Sequence, residues 1–356
     1  MDRQPLSFSS FPNPSGELYE CLRFIKLLSE ELHMIDDNFS DATLDIANEI
    51  ETKLTRNEVI PGKTFTTNHR YDVIKNRYWR EDSEYEGTPI RYTFLGKDDD
   101  IMKKYPDTEM LCYSYVPNDI LIGINYDLVL KKHLKLRHDE FIHWVAEKLF
   151  HEIAHAVEIH QRKRVESYQD NDSLSRKANE ILYHLDPSEM SARLNEAVER
   201  IRHMSKERID SIVSRPDYKA MLTGLTYRPK VALGIANMMD FLDRDILRIK
   251  LIEQYMMESM QACKFGNLEA MYESYQIAFE CMKRGYFKGH QMRQNKLSEK
   301  LKAFDRDVPM SFNEFKSSKS DRIVMPGVVL IDQIVSDYRR RVASSIYHVL
   351  NKERDK

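Results

Sequence analysis

Apolar residues recur at helical spacing in two stretches near the N-terminus, residues 18–32 and 44–54. Side chains three or four positions apart share one face of a helix, so each stretch predicts an amphipathic helix. We assign both helices to an N-terminal helical segment, residues 1–58, with a structural role.

The pattern changes between residues 59 and 126, where Tyr, Thr, Val and Ile become frequent and Gly and Pro interrupt short runs. Aromatic and β-branched residues bounded by turn residues are typical of strands. The clearest predicted strands are Met110 to Val116 and Ile120 to Tyr126. Pro117-Asn118-Asp119 between them has the composition of a turn.

From Asp139 onward the pattern is helical. A helix is predicted from an N-cap at Asp139 to about Arg164, and a shorter helix ends near Leu185. Asp186-Pro187 predicts the start of another helix that reaches Asp210, because Pro after an Asp cap is a strong start signal. Further helices are predicted over 230–262, 267–284, 291–305 and 328–346. The fold class is therefore α+β and predominantly helical.

Composition narrows the functional classes. The chain has 356 residues, with 54 Lys+Arg against 57 Asp+Glu and a net charge of −3. This balance argues against an obligate polyanion binder and against a polybasic membrane-surface protein. The four cysteines form no CxxC pair, and no apolar run is long enough for a leader or a membrane span. We therefore expect a cytoplasmic protein with reduced thiols and no membrane partner.

The residues most informative about chemistry are His151-Glu152-Ile153-Ala154-His155. Helical residues four apart lie one turn from each other, so His151 and His155 can direct ring nitrogens at one cation. Neutral imidazoles suit zinc, and Glu152 beside them can take a proton from water as a general base. The pattern predicts a catalytic zinc site in the middle of an amphipathic helix.

A catalytic zinc needs a third protein ligand and an open fourth position. The candidate is Glu189, at the start of the helix that follows Asp186-Pro187. With Asp186 as N-cap, Glu189 also occupies the capping-box position and could cap the helix instead. Glu196, further along the same helix face, and His184 are the alternative third ligands.

The His151 to His155 motif followed by a Pro-x-Glu-x-x-Ala helix resembles the zincin metallopeptidases of the gluzincin type, and in particular the small HExxH domains often encoded by bacteriophages. The resemblance covers roughly residues 105–205. It implies a zincin-like core, in which a short mixed sheet precedes the active-site helix and an edge strand binds extended substrate. Carried over to this chain, His151, His155 and Glu189 bind one Zn²⁺ and Glu152 is the base.

The resemblance implies a zinc-dependent endopeptidase acting on a protein or peptide, with a metallopeptidase domain over residues 59–213 and a helical C-terminal region over 214–356. A phage-encoded protein would act in the host cytoplasm or the virion. The alternative is a catalytically inactive zincin-like structural or interaction protein, such as a phage assembly or host-takeover factor. A nucleic-acid-binding protein is disfavoured because clustered Lys residues are balanced by acidic ones.

The transition state of peptide hydrolysis also needs a donor for the oxyanion. Tyr168, Tyr183, His184 and Arg193 are all candidates, and the sequence does not choose among them. The oligomeric state is likewise left open.

Overall fold

The fold is described from a computed structural model of the chain. The structure describes residues 39–72, 77–80, 87–112, 120–162, 171–213, 246, 248–284 and 306–318, and single positions between 331 and 353. The helices predicted over 18–32 and 291–305 lie outside the described residues, as does most of the predicted final helix.

The described helices and strands follow one another in the order of an α+β protein. The helices are α1 (Phe39–Thr55), α2 (Asp100–Lys104), α3 (Tyr126–His133), α4 (His138–Arg162), α5 (Arg176–Leu185), α6 (Pro187–Arg202), α7 (Lys206–Val213), α8 (Ile249–Lys264), α9 (Leu268–Lys283) and α10 (Phe312–Ser317). The strands are β1 (Thr64–Asp72), β2 (Arg77–Arg80), β3 (Thr88–Leu95), β4 (Met110–Cys112) and β5 (Ile120–Asn125). None of the described helices is long and apolar enough to cross a membrane.

The strands form one mixed sheet in the order β2-β1-β3-β5-β4. β3 and β5 are parallel, and the other neighbouring pairs are antiparallel. The nearly continuous apolar run of β5 suits an interior strand, since such strands are buried on both faces. β4 lies at the sheet edge, with Met110 opposite Ile124 and Cys112 opposite Ile122.

The first hydrophobic core lies between the sheet and helices α1 and α4. Along α4, Val145, Leu149 and Ile153 are fully buried and recur every four residues, as an amphipathic helix requires. The aromatic rings of Phe39 and Phe150 join α1 to α4, with centroids 5.9 Å apart. The buried face of α4 is therefore fixed against the sheet.

The second core is helical and joins α5 and α6 to α8, α9 and α10. Helix α6 contributes to both cores, since Ala192 is buried in the first whereas Leu194 and Val198 are buried in the second. A helix held on two sides has little freedom to rotate about its axis. The direction of the other side chains of α6 is thereby set.

Several of the sequence predictions are confirmed. The fold is α+β and mostly helical. The predicted helix over 44–54 is α1, which packs in the same core as the sheet, and the segment 267–284 is α9. β4 and β5 match the described parts of the predicted strand pair except at Tyr126, whereas residues 113–119 lie outside the described chain.

Three predicted boundaries were wrong, two of them because a capping side chain starts the next helix. The strand β5 ends at Asn125, whose side chain accepts the N–H of Leu128 at 3.2 Å, so Tyr126 begins α3 instead. Helix α4 begins at His138, which leaves Asp139 inside its first turn rather than at the N-cap. The helix predicted to reach Asp210 ends at Arg202, because the Ser205 hydroxyl accepts the N–H of Arg208 at 3.3 Å and starts α7.

Candidate metal centre

Helix α4 places His151 and His155 side by side. Their ring centroids are 4.9 Å apart, and their Nε2 atoms are 3.2 Å apart. Both rings are largely buried, with side chains 10 % and 14 % exposed. Two imidazole nitrogens at this separation can bind the same cation.

Helix α6 brings Glu189 to the histidine pair. Asp186 caps α6 by accepting the N–H of Ser188 at 2.8 Å, and its own N–H donates to the Tyr183 carbonyl at 3.2 Å. The Glu189 carboxylate turns instead towards α4, where Oε2 lies 3.3 Å from Nε2 of His155 and 3.8 Å from Nε2 of His151. Of the two interpretations of Glu189, the geometry favours the ligand over the cap.

Two of the three distances between the facing atoms are those of a zinc site, and the third is slightly longer. The three atoms form a triangle with sides of 3.2, 3.3 and 3.8 Å. Zinc bonds of about 2.0–2.1 Å in a tetrahedral arrangement hold ligand atoms about 3.3–3.4 Å apart. Among the described residues, His151, His155 and Glu189 are the one group of three that could hold a metal ion. The donor set of two imidazoles and a carboxylate fits zinc and leaves a fourth position for another ligand.

Each histidine also has a polar neighbour behind it. Nδ1 of His155 lies 3.1 Å from the Ser188 hydroxyl, and Nδ1 of His151 lies 3.0 Å from Oε2 of Glu196. The second contact is at ion-pair distance rather than in a linear hydrogen bond. The other oxygen of Glu196 accepts from Nζ of Lys148 at 2.9 Å. Such contacts orient the rings so that Nε2 faces the centre, and Glu196 lies behind the His151 ring, outside the three-residue group.

The charges of the centre shift the pKa of several groups. Burial alone would lower the pKa of His151, but the carboxylates of Glu189 and Glu196 outweigh it and raise the pKa to about 10. Burial raises the pKa of a carboxyl group, yet contact with His151 and Lys148 lowers the pKa of Glu196 to about 2. The Arg193 charge, followed by that of His151, holds the pKa of Glu189 well below its usual value despite burial. Both carboxylates are thus ionised at neutral pH.

Glu152 is 9 % exposed and lies within electrostatic range of both histidines. Burial raises the pKa of its carboxyl group, and the charges of His151 and His155 only partly oppose this. A carboxyl group with a raised pKa accepts and releases a proton closer to neutral pH. Its surroundings are those expected of a general base.

Two of the four oxyanion-donor candidates lie at the centre. The Arg193 guanidinium pairs with Oε1 of Glu189, and the hydroxyl of Tyr183 lies within electrostatic range of the same carboxylate. The Tyr183 residue is 37 % exposed. His184 lies outside the three-ligand group, and burial and Arg193 lower its pKa to about 4. Tyr168 lies outside the described residues.

Ser188 and Lys148 also belong to the surroundings of the centre, although the spacing of the HExxH motif does not predict them. Ser188 directly precedes Glu189 in the chain. A hydroxyl on that turn of α6 lies on the side of the helix that faces α4, so Ser188 could have been predicted from its position next to Glu189. Lys148 precedes His151 by less than one turn, but its partner Glu196 comes from another helix. The pairing of Lys148 with Glu196 is therefore visible only once α4 is packed on α6.

Comparison with known proteins does not identify a family, since no family model, curated protein or solved structure matches the chain. The function is therefore inferred from the geometry of the centre.

Proposed function

We propose that the chain is a zinc-dependent metallopeptidase that hydrolyses peptide bonds in a protein or peptide. One observation supports it above the others: Nε2 of His151, Nε2 of His155 and Oε2 of Glu189 surround one point, with the buried Glu152 beside them. A bound zinc ion polarises the scissile carbonyl and makes water a better nucleophile at neutral pH.

In this proposal Glu152 accepts a proton from the attacking water and passes it to the leaving amine. Tyr183 is the favoured donor to the oxyanion, because it lies within electrostatic range of Glu189 and its pKa is raised well above its usual value, which keeps it protonated. Burial is the main cause of that shift, and the charge of Glu189 adds to it.

The edge strand β4 supports a peptide as the substrate class. α4 packs against β4, so the sheet edge and the histidine pair belong to one region of the molecule. β4 pairs with β5 on one side, and an extended peptide could add to its other side through backbone hydrogen bonds. In that mode of binding the protein recognises the backbone of the peptide rather than its side chains.

The test is the Glu152→Gln variant, which keeps the size of the side chain but cannot accept the proton. We expect it to retain zinc and to lose at least about 10²-fold in kcat on an unfolded protein substrate, within the usual range for general-base catalysis. Glu147→Gln is the matched control, since Glu147 is a buried glutamate on the same helix whose partner is Arg200, at 2.9 Å. Unchanged hydrolysis by Glu152→Gln, or loss of zinc from it, would contradict the proposal.

A second candidate is an inactive zincin-like protein that uses zinc for stability or assembly. The low exposure of the ligands favours it, since His151, His155 and Glu189 are 10 %, 14 % and 2 % exposed and structural zinc sites are closed. Stoichiometric zinc in a wild-type protein that hydrolyses no unfolded substrate would support this candidate instead.

A further inference from the structure

The two carboxylate oxygens of Glu189 have different neighbours. Oε2 faces Nε2 of both histidines, at 3.3 and 3.8 Å, whereas Oε1 pairs with the Arg193 guanidinium. Glu189 and Arg193 lie one turn apart on α6, and only 2 % and 12 % of their side chains are exposed. One oxygen is thus available to a cation while the other is occupied by the protein.

Arg193 is itself held in place from the second core. Its Nη1 donates to the backbone carbonyl of Ile246 at 2.6 Å, and its guanidinium lies 6.0 Å from the centre of the Tyr183 ring. A guanidinium that donates a hydrogen bond from one nitrogen and forms a buried ion pair through another has little freedom to turn away when a cation approaches Glu189. Arg193 therefore presents a fixed positive charge beside the centre.

We propose that Arg193 is a positioning residue that restricts Glu189 to a single ligand oxygen and so keeps the fourth coordination position of the metal open. The proposal rests on the metal site of the proposed function. A carboxylate free at both oxygens can bind a cation through both. By occupying Oε1, Arg193 removes that option and leaves space where a substrate carbonyl or water can bind.

The fixed charge of Arg193 has a second consequence for metal affinity. Two cations at short distance in a buried site repel each other strongly. Arg193 therefore weakens binding of a divalent ion while it keeps the site open. A residue that only supported the fold would have the opposite effect, because its loss would disorder Glu189 and weaken binding.

The test compares neutral and charged replacements by titrating Zn²⁺ against a chromophoric chelator and by recording the visible spectrum of bound Co²⁺. We expect Arg193→Met and Arg193→Gln to bind Zn²⁺ about tenfold or more tightly than the wild type. The Co²⁺ bands of both should lose intensity as the coordination number rises above four. Arg193→Lys keeps the charge and should retain the wild-type affinity. If Arg193→Met does not fold, Arg193→Gln still tests the charge.

Arg202→Met is the matched control. Arg202 is also a buried arginine on α6 paired with a glutamate, Glu199, at 3.2 Å, and neither belongs to the metal centre. We expect it to leave metal affinity and the Co²⁺ spectrum unchanged. Wild-type or weakened affinity in both neutral Arg193 variants would overturn the proposal, whereas a wild-type protein that binds neither ion would refute the metal site itself.

Discussion

At the residue scale, the centre combines a pattern that a sequence can show with contacts that it cannot. His151, Glu152 and His155 could be predicted because four-residue spacing on a helix fixes their relative placement before any tertiary contact forms. Glu189 could be named because a zinc site needs a third ligand. The division of its carboxylate between the histidines and Arg193 depends on how α6 packs on α4, and no local pattern encodes it.

Proton release should accompany zinc binding. The pKa of His151 is raised to about 10, so its imidazole is protonated at pH 7.5, and zinc requires the neutral ring. Binding therefore displaces the proton, and affinity should rise with pH until the pH approaches that pKa. Calorimetry at pH 7.5 in buffers of different ionisation enthalpy should show about one proton released from His151 for each zinc bound.

Glu196→Gln provides the comparison for that experiment. It removes a carboxylate that raises the pKa of His151, so fewer protons should be released at the same pH. A wild-type binding enthalpy that does not depend on the buffer would show that His151 is neutral before zinc binds.

At the scale of helices and strands, capping groups decide where each element ends. The periodic pattern predicted the existence of α1, α4, α5, α6 and α9, because each has one continuous apolar face. It misplaced the end of α6 because Ser205 begins a new helix there, and one hydroxyl changes no periodicity. The contact of α4 with α6 matters most for the proposed function, since it brings Glu189 to the histidines.

Widening the contact between α4 and α6 should weaken the metal site. Ala192 is fully buried in the first core, one turn after Glu189. Ala192→Leu adds three carbon atoms there, and overpacking of this kind costs about 1–3 kcal/mol in the free energy of unfolding. We expect that loss in urea denaturation, together with a lower zinc affinity, because α6 must move away from α4.

Ala197→Leu separates the two effects. Ala197 is also fully buried on α6 but belongs to the second core. It should lose a similar free energy of unfolding and keep its zinc affinity. Equal zinc affinities in the two leucine variants would show that the spacing of α4 and α6 at Ala192 does not control the centre.

At the scale of the whole molecule, α6 connects the candidate centre to the C-terminal helices. It packs on α4 on one side and on the core of α8 and α9 on the other, and Arg193 reaches the carbonyl of Ile246. The α+β class followed from the sequence, because strand-rich and helical stretches are separate along the chain. The position of α6 in both hydrophobic cores could not be predicted from the sequence, since it depends on contacts between distant segments.

The zinc content of the purified protein, measured by elemental analysis after zinc has been offered and excess removed, tests the account most directly. Wild type and His155→Ala should be prepared in parallel, because the variant removes one ligand and keeps the helix. We predict about one zinc per wild-type chain and essentially none in the variant, since two protein ligands do not hold zinc tightly. A wild-type chain without zinc, or a variant that retains it, would contradict the metal centre proposed for His151, His155 and Glu189.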